Sequence, residues 1–167
     1  MNPIFIAVED RLRAAERELA TIGDMIAWFD DAEARIASTS AASRIARTVS
    51  IASEVEAAYN GIETALEHLL RAIDGSVPQA SDSHAALLAQ AANPNPGVRP
   101  AVIGTDTRAL LDRLRRFRHV VRHGYGSQLE LGPVLENLET LTQALPRVRQ
   151  DVDALRAALE PPPASPG

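Results

Sequence analysis

The chain has 167 residues, of which 46% are hydrophobic and 23% charged, and its formal net charge is −5. This length suits one domain with a substantial buried core. The absence of cysteine excludes disulfides and thiolate metal sites. Acidic residues follow Met1 too soon for a signal peptide, and no apolar run approaches the ~20 residues of a membrane span, so a soluble, cytoplasmic protein is expected.

The charges are unevenly distributed. All 17 basic residues are arginine. Residues 106–126 contain six arginines and two aspartates, a net charge of +4, whereas the remaining residues carry −9. A basic patch on an acidic chain predicts a local site for an anion rather than a general polyanion coat.

The first half of the chain predicts two long helices. Apolar residues recur at three- and four-residue spacing over residues 3–37, which indicates one long helix or two short ones. Trp28 within it is interpreted as a core or interface residue, with a binding role as the alternative. Residues 38–42 predict a helix junction with hydroxyl caps, and a second helix is predicted from about Ser43 to Asp74, ended by glycine.

Polar residues lie beside the apolar stripe of the second helix. Glu56 is assigned to a solvated face. Gly61 costs ~1 kcal/mol relative to alanine inside a helix. Its presence therefore predicts that another helix packs closely at this position.

The middle of the chain predicts a turn, a short helix and a loop. The helix is expected from about Asp82 to Ala92, and His84 near its start is interpreted as a cap or surface residue. Three prolines between residues 93 and 100 exclude a helix there. Arg99 in this loop is expected either to reach a phosphate or to anchor the loop.

Two further helices and a tail complete the chain. The fourth helix is predicted to be capped by Thr105 or Asp106 and to run to about Gly124. The fifth is predicted from about Pro133 to Leu159, kinked or broken at Pro146. Residues 1–160 are expected to form one domain, and the proline-rich residues 161–167 a disordered tail. No strand pattern is present, so the predicted fold class is all-α.

The fourth helix carries the densest cluster of cationic, titratable and aromatic groups. Its members are Arg115, Arg116, Arg118, His119, Arg122, His123 and Tyr125. Arginine offers fixed charge and a planar donor fork for phosphate oxygens, and histidine titrates near neutrality. Such groups suit proton transfer at a phosphate ester and stabilisation of its negative charge, which require neither a metal nor a cofactor. The alternative for the arginines is a solvated face paired with acids of neighbouring helices.

Helical geometry separates Arg118 from His123. Five residues rotate through about 500°, so the two side chains lie about 140° apart on a regular helix. Two solutions follow: either the helix loosens before Gly124, or two copies of the chain meet and pool their residues.

The spacing of Arg118, His123 and Tyr125 resembles the Arg-x4-His-x-Tyr motif of the HEPN superfamily. Within it, the flanking residues resemble the HepT-like ribonuclease toxins of HEPN/minimal-nucleotidyltransferase toxin–antitoxin pairs. Residues 59–63 and 99–103 are also similar to that subgroup. His119 is a departure, because many HEPN proteins have asparagine there. The resemblance covers roughly residues 5–145.

The resemblance implies a fold, an activity and partners. The fold is a HEPN-type antiparallel bundle of four to five helices, paired as a C2 homodimer with both motifs at the dimer cleft. The activity is an endoribonuclease that leaves a 2′,3′-cyclic phosphate and a 5′-hydroxyl. An antitoxin of the minimal nucleotidyltransferase class is expected to silence it by transferring AMP to Tyr125.

Roles for individual residues also follow from the resemblance. Arg118 and His123 are the expected catalytic pair, with His119 as a second polar group. Arg122 and Arg115 are the expected phosphate contacts, and Tyr59 and Glu63 the supporting residues. Two other hypotheses stay open: a non-catalytic HEPN module that binds a nucleotide or a partner, and a helical adaptor with an incidental arginine face.

Overall fold

Five helices make up most of the part of the chain that the structure describes, which is residues 3–35, 40–78, 83–124 and 129–160 of a computed structural model. They are α1 (Pro3–Ala34), α2 (Ala41–Asp74), α3 (Ser83–Ala92), α4 (Thr105–His123) and α5 (Leu131–Leu159). Within the described ranges there is no strand, and Asn95 and Arg99 form an isolated bridge. The all-α prediction is confirmed. The tail predicted at residues 161–167 lies outside the described residues.

The first two helices form a long antiparallel hairpin. Arg47 of α2 binds Asp30 and Glu33 near the end of α1, whereas His68 accepts from Arg11 near its start. Gly61 lies between these points, where a Cβ atom would stand 3.7 Å from the Cβ of Ala15. A second helix therefore packs at Gly61, as predicted, at a distance that is ordinary van der Waals contact for an added methyl group.

The motif helix α4 is antiparallel to both of its long neighbours. On one side, Asn60 of α2 meets Arg118 and Glu56 meets Arg122. On the other side, the start of α4 meets Asp151 of α5 and its middle meets Glu136. Helix α3 also packs against α2 and α4. These contacts place one face of α4 against α2 and α3.

Apolar side chains from all five helices and from the loop before α4 fill one core. Its fully buried large members include Leu12, Ile22, Ile51, Tyr59, Ile62, Leu66, Leu69, Leu70, Leu88, Ile103, Leu111 and Leu114. Most lie on the stripes that the three- and four-residue spacing predicts. Trp28 does not, because it is 65% exposed and contacts Phe29 edge-to-face at 5.0 Å. Its assignment to the core is wrong, and its assignment to an interface stays a prediction.

The helix ends agree with most of the predicted signals. Ser40 is the N-cap of α2 and accepts a hydrogen bond from the Ser43 backbone. Gly75 ends α2 at φ 78°, the left-handed conformation that favours glycine. The predicted cap of α4 is wrong: the N-cap is Gly104. Its backbone N–H and the Thr107 hydroxyl both donate to Asp151, so a carboxylate of α5 takes the place of a local capping side chain.

Pro146 does not break α5. The helix continues through it from Leu131 to Leu159. Pro146 itself is exposed, while Leu145 and Val148 on either side are buried. Burial of this continuous apolar face offsets the hydrogen bond that proline removes from the helix.

The loop before α4 is fixed by Arg99. Its guanidinium donates two hydrogen bonds to Asp74, at 2.8 and 2.7 Å, and others to the carbonyls of Gln90, Asn93 and Pro100. The Arg99 side chain is only 1% exposed. Arg99 therefore anchors the loop, and the alternative contact with phosphate is excluded for this fold.

No helix in the described part of the chain combines the length and the apolar character needed to cross a membrane.

Candidate functional site

Arg118 is held rigidly between α2 and α3. Its Nε donates to Oδ1 of Asn60 at 2.6 Å, and its Nη1 lies 3.1 Å from Nε2 of His84. The side chain is 14% exposed. Two partners on two different helices thus fix the orientation of the guanidinium plane. A solvated arginine would have no such fixed orientation.

His84 connects Arg118 to a buried carboxylate. Its Nδ1 lies 3.1 Å from Oε1 and 3.0 Å from Oε2 of Glu63. The Tyr59 hydroxyl donates to the same Oε1 at 2.6 Å. Burial and the negative charge of Glu63 raise the pKa of Tyr59 well above its usual range, so the hydroxyl keeps its proton and remains a donor.

The network sets the tautomer of His84. A guanidinium only donates hydrogen bonds, so the lone pair of Nε2 must face Arg118. The ring proton then lies on Nδ1, where it is donated to Glu63. This arrangement directs the acceptor nitrogen of His84 at the motif arginine.

These groups line one side of an open pocket of about 390 Å³ between α2, α3 and α4. Its lining includes polar residues, among them the arginines, and apolar residues, among them Val77 and Leu87. The members are Asn60, Glu63, Thr64, Glu67, Val77, Pro78, Ser83, His84, Leu87, Arg118 and Arg122. A pocket of this kind combines fixed positive charge with hydrogen-bonding groups, which suits a phosphate ester.

Arg122 lies at the rim of the pocket and is paired with Glu56. Its Nε donates to Glu56 at 2.6 Å, and the same carboxylate oxygen lies 4.0 Å from Nε of Arg118. The Glu56 side chain is 15% exposed, so its assignment to a solvated face is wrong. Glu56 offsets one of the two positive charges of this arginine pair, and an anion that enters the pocket would compete with it for Arg122.

Two further arginines of α4, Arg115 and Arg116, have partners on their own helix. Arg115 donates to Asp112 at 2.8 Å, and Arg116 binds the same carboxylate. Arg115 is also close enough to Tyr59 to favour the ionised form of its hydroxyl, although burial outweighs this effect. A phosphate contact for Arg115 stays a prediction.

The two motif histidines lie outside the pocket. Their rings stack at 4.3 Å, with Nδ1 of His123 3.0 Å from the carbonyl oxygen of His119, and both are exposed. Helix α4 stays regular through His123, so the idea that it loosens before Gly124 is wrong. Arg118 and His123 of one copy therefore occupy different faces of α4. Tyr125 lies outside the described residues.

Sequence reasoning missed His84 and Asn60. The sequence favours a cap or surface role for His84 because no other histidine lies near it in the chain. A signal did exist for Asn60: together with Glu56 and Glu63 it follows four- and three-residue steps, which form one polar stripe along α2. Tyr59 and Glu63 lie in the network beside Arg118, and their supporting role stays a prediction.

No group of three or more histidine, cysteine, aspartate or glutamate side chains in the described ranges is arranged to hold a metal ion.

Comparison with known proteins identifies the family. A family model described as HepT-like protein matches residues 50–159, which extend from within α2 to the end of α5. The chain belongs to this HEPN-type family of HepT-like proteins. Comparison with the curated proteins and with the solved structures gave no match.

Proposed function

We propose that this chain is a metal-independent endoribonuclease, the toxin of a toxin–antitoxin pair. It acts as a homodimer and cleaves RNA by attack of a 2′-hydroxyl on the adjacent phosphate. Membership in the HepT-like family supports the class of activity. The observation that carries the proposal is the pocket beside the motif helix, where Asn60 and His84 hold the Arg118 guanidinium ready for a phosphate.

In this mechanism Arg118 stabilises the transition state. Attack of the 2′-oxygen forms a five-coordinate phosphorane, whose extra negative charge falls on the non-bridging oxygens. Preorganised guanidinium groups stabilise that charge more than they stabilise the substrate. Arg122 contacts the phosphate after it is released from Glu56, and Arg115 contacts phosphate along the same stripe.

His123 is the proposed acid–base residue. An imidazole that titrates near neutral pH is suited to proton transfer at the 2′- or 5′-oxygen. His119 stacks on it and is the second polar group of the motif. The products are a 2′,3′-cyclic phosphate and a 5′-hydroxyl.

The homodimer resolves the separation of Arg118 and His123. His123 is exposed on α4, whereas Arg118 faces α2 and α3. Across a C2 axis, His123 of one copy is directed to the pocket of the other, so each active site draws on both copies.

A nucleotidyltransferase antitoxin is the proposed partner. It transfers AMP to Tyr125, two residues beyond His123. The modification adds bulk and negative charge close to the end of α4, where Arg122 and His123 lie. It therefore repels substrate phosphate and silences the nuclease.

The test is cleavage of a small structured RNA in EDTA by the wild type, Arg118→Ala and His123→Ala. We expect the wild type to produce cyclic-phosphate ends and each variant to lose at least about 100-fold in rate. Arg113→Ala is the matched control, because Arg113 lies on the same helix but binds Glu136 of α5. Intact mass establishes beforehand that the wild type carries no AMP. Cleavage by His123→Ala at the wild-type rate would contradict the assignment of His123 as the acid–base residue.

A second candidate is a non-catalytic HEPN module that binds a nucleotide or a partner. The mixed lining of the pocket favours it, because phosphate groups and an apolar base both find matching walls there. Under this alternative, unmodified wild type binds AMP or ATP in calorimetry and leaves RNA intact.

A further inference from the structure

We infer that His84 is a catalytic residue of the ribonuclease site, the general base that removes the 2′-hydroxyl proton. This inference rests on the proposed function and adds a third group to its Arg118 and His123. His84 belongs to α3, outside the motif, and touches the same arginine that binds the scissile phosphate. Three features support this role: the orientation of the His84 ring, the competition of a phosphate for the Arg118 N–H that His84 accepts, and the Glu63 carboxylate bonded to Nδ1.

The orientation of His84 matches that of a general base. Nδ1 is bonded to Glu63, which is 8% exposed, and Nε2 presents its lone pair to the pocket. A carboxylate behind an imidazole fixes its tautomer and stabilises the imidazolium that forms when the ring takes a proton. The His84 side chain is 41% exposed and lines the pocket beside Arg118.

Substrate phosphate releases the lone pair of His84. In the unliganded pocket this lone pair accepts a hydrogen bond from Nη1 of Arg118 at 3.1 Å. A phosphate oxygen is a stronger acceptor for a guanidinium than a neutral imidazole is. When phosphate takes this N–H, Nε2 is left without its donor and within hydrogen-bond reach of the 2′-hydroxyl next to that phosphate.

The reaction balances with two acid–base groups. His84 takes the 2′-hydroxyl proton through Nε2 as the bond between O2′ and phosphorus forms. The bond between phosphorus and O5′ breaks, and His123 of the other copy, in its protonated form, supplies a proton to O5′. Water returns both histidines to their starting states by carrying a proton from His84 to His123.

Glu63 and Tyr59 are positioning residues in this scheme. Glu63 holds His84, and the buried Tyr59 hydroxyl holds Glu63 at 2.6 Å. The titratable and charged groups that surround His84 are Tyr59, Glu63 and Glu67 from α2 and Arg118 and Arg122 from α4.

The experiment measures the rate of RNA cleavage in EDTA against pH for unmodified wild type, His84→Gln and His68→Gln. Glutamine keeps a donor and an acceptor at the end of the side chain but does not titrate in this range. His68→Gln is the matched control, because His68 also contacts an arginine, Arg11 at 3.4 Å, on the side of α2 that faces α1. Circular dichroism and gel filtration verify the fold and the oligomeric state of each variant.

We expect His84→Gln to lose about 100- to 10,000-fold in rate, as is usual when a general base is removed. It should also lose the acidic limb of the pH profile, which reports protonation of the base, and keep the alkaline limb. Imidazole added to His84→Ala should restore part of the activity, which a merely structural residue would not allow.

Two results overturn the inference, and they are distinguishable. If wild type cleaves RNA and His84→Gln retains its rate or both limbs of its pH profile, His84 is not the base and the proposed ribonuclease function stands. If unmodified wild type cleaves none of a panel of RNAs, the ribonuclease function and the role of His84 both fail.

Discussion

At the scale of single residues, Gly61 marks a close approach of α1 and α2. A methyl group at this position would stand 3.7 Å from the Ala15 Cβ and 3.9 Å from the Arg11 carbonyl oxygen, which are ordinary contact distances. The backbone there is regular helix. The position therefore tolerates alanine, and glycine retains only its entropic cost.

We predict that Gly61→Ala stabilises the protein by about 0.5–1 kcal/mol, because alanine loses less backbone entropy on folding. Urea unfolding measures the change. Gly23→Ala is the control, because Gly23 is also helical but a Cβ atom there would meet no described neighbour within 4 Å. An equal rise in the free energy of unfolding of both variants would show that the new contact at Gly61 is neutral. A fall in the free energy of unfolding of Gly61→Ala alone would contradict the packing described.

The sequence predicts the residues of α4 better than the residues that face them. The motif singles out Arg118 because spacing along one helix is visible in the sequence. His84 and Glu56 act through contacts with residues 34 and 66 positions away. Such contacts depend on how helices pack, and one sequence contains no direct record of them.

At the scale of elements, Asp74 and Arg99 fasten the loop before α4 to the end of α2. Hydrogen bonds from Arg99, Gln90 and Asn95 outweigh the effect of burial and lower the pKa of Asp74 from 3.8 to about 2. A carboxyl with a lowered pKa stabilises the fold above the unfolded pKa and loses this effect as it becomes protonated. The contribution is thus present above the unfolded value of 3.8 and disappears as the pH falls from there through about 2.

We predict that Asp74→Asn destabilises the protein by about 2 kcal/mol or more at neutral pH, because it leaves the buried Arg99 guanidinium without its counter-charge. The difference from wild type should shrink as the pH falls from about 3.8 to about 2, because Asp74 is protonated first in the unfolded chain and only near pH 2 in the folded protein. Denaturant unfolding at several pH values measures it. Asp106→Asn is the control, because Asp106 is 87% exposed and its pair with Arg147 should contribute little. A difference that persists unchanged down to a pH of about 2 would contradict this assignment.

The predicted elements agree with the observed helices to within a few residues. The agreement is best where local chemistry decides, as at Ser40 and Gly75. It fails at the start of α4, because Asp151 of a distant helix supplies the acceptor there. At Pro146 the predicted break is absent, because burial of the apolar face on both sides keeps α5 continuous, while the alternative of a kink stays a prediction.

At the scale of the whole molecule, one copy of the chain separates the groups that the proposed reaction uses. The pocket holds Arg118 and His84, whereas His119 and His123 form a stacked, exposed pair on another face of α4. The helical spacing predicts this separation, and the structure retains it. A second copy is the proposed source of the missing histidine, since in a C2 dimer any contact between His123 of one copy and the pocket of the other occurs twice.

The most direct test of this shared site mixes two inactive variants. Arg118→Ala and His123→Ala are each purified, then combined after mild denaturation and refolding so that mixed dimers form. If each site takes Arg118 from one copy and His123 from the other, every mixed dimer regains one intact site. An equal mixture should then recover about a quarter of wild-type cleavage, because half of its dimers are mixed and each has one of two sites. A mixture that forms mixed dimers yet stays as inactive as its components would contradict the shared site.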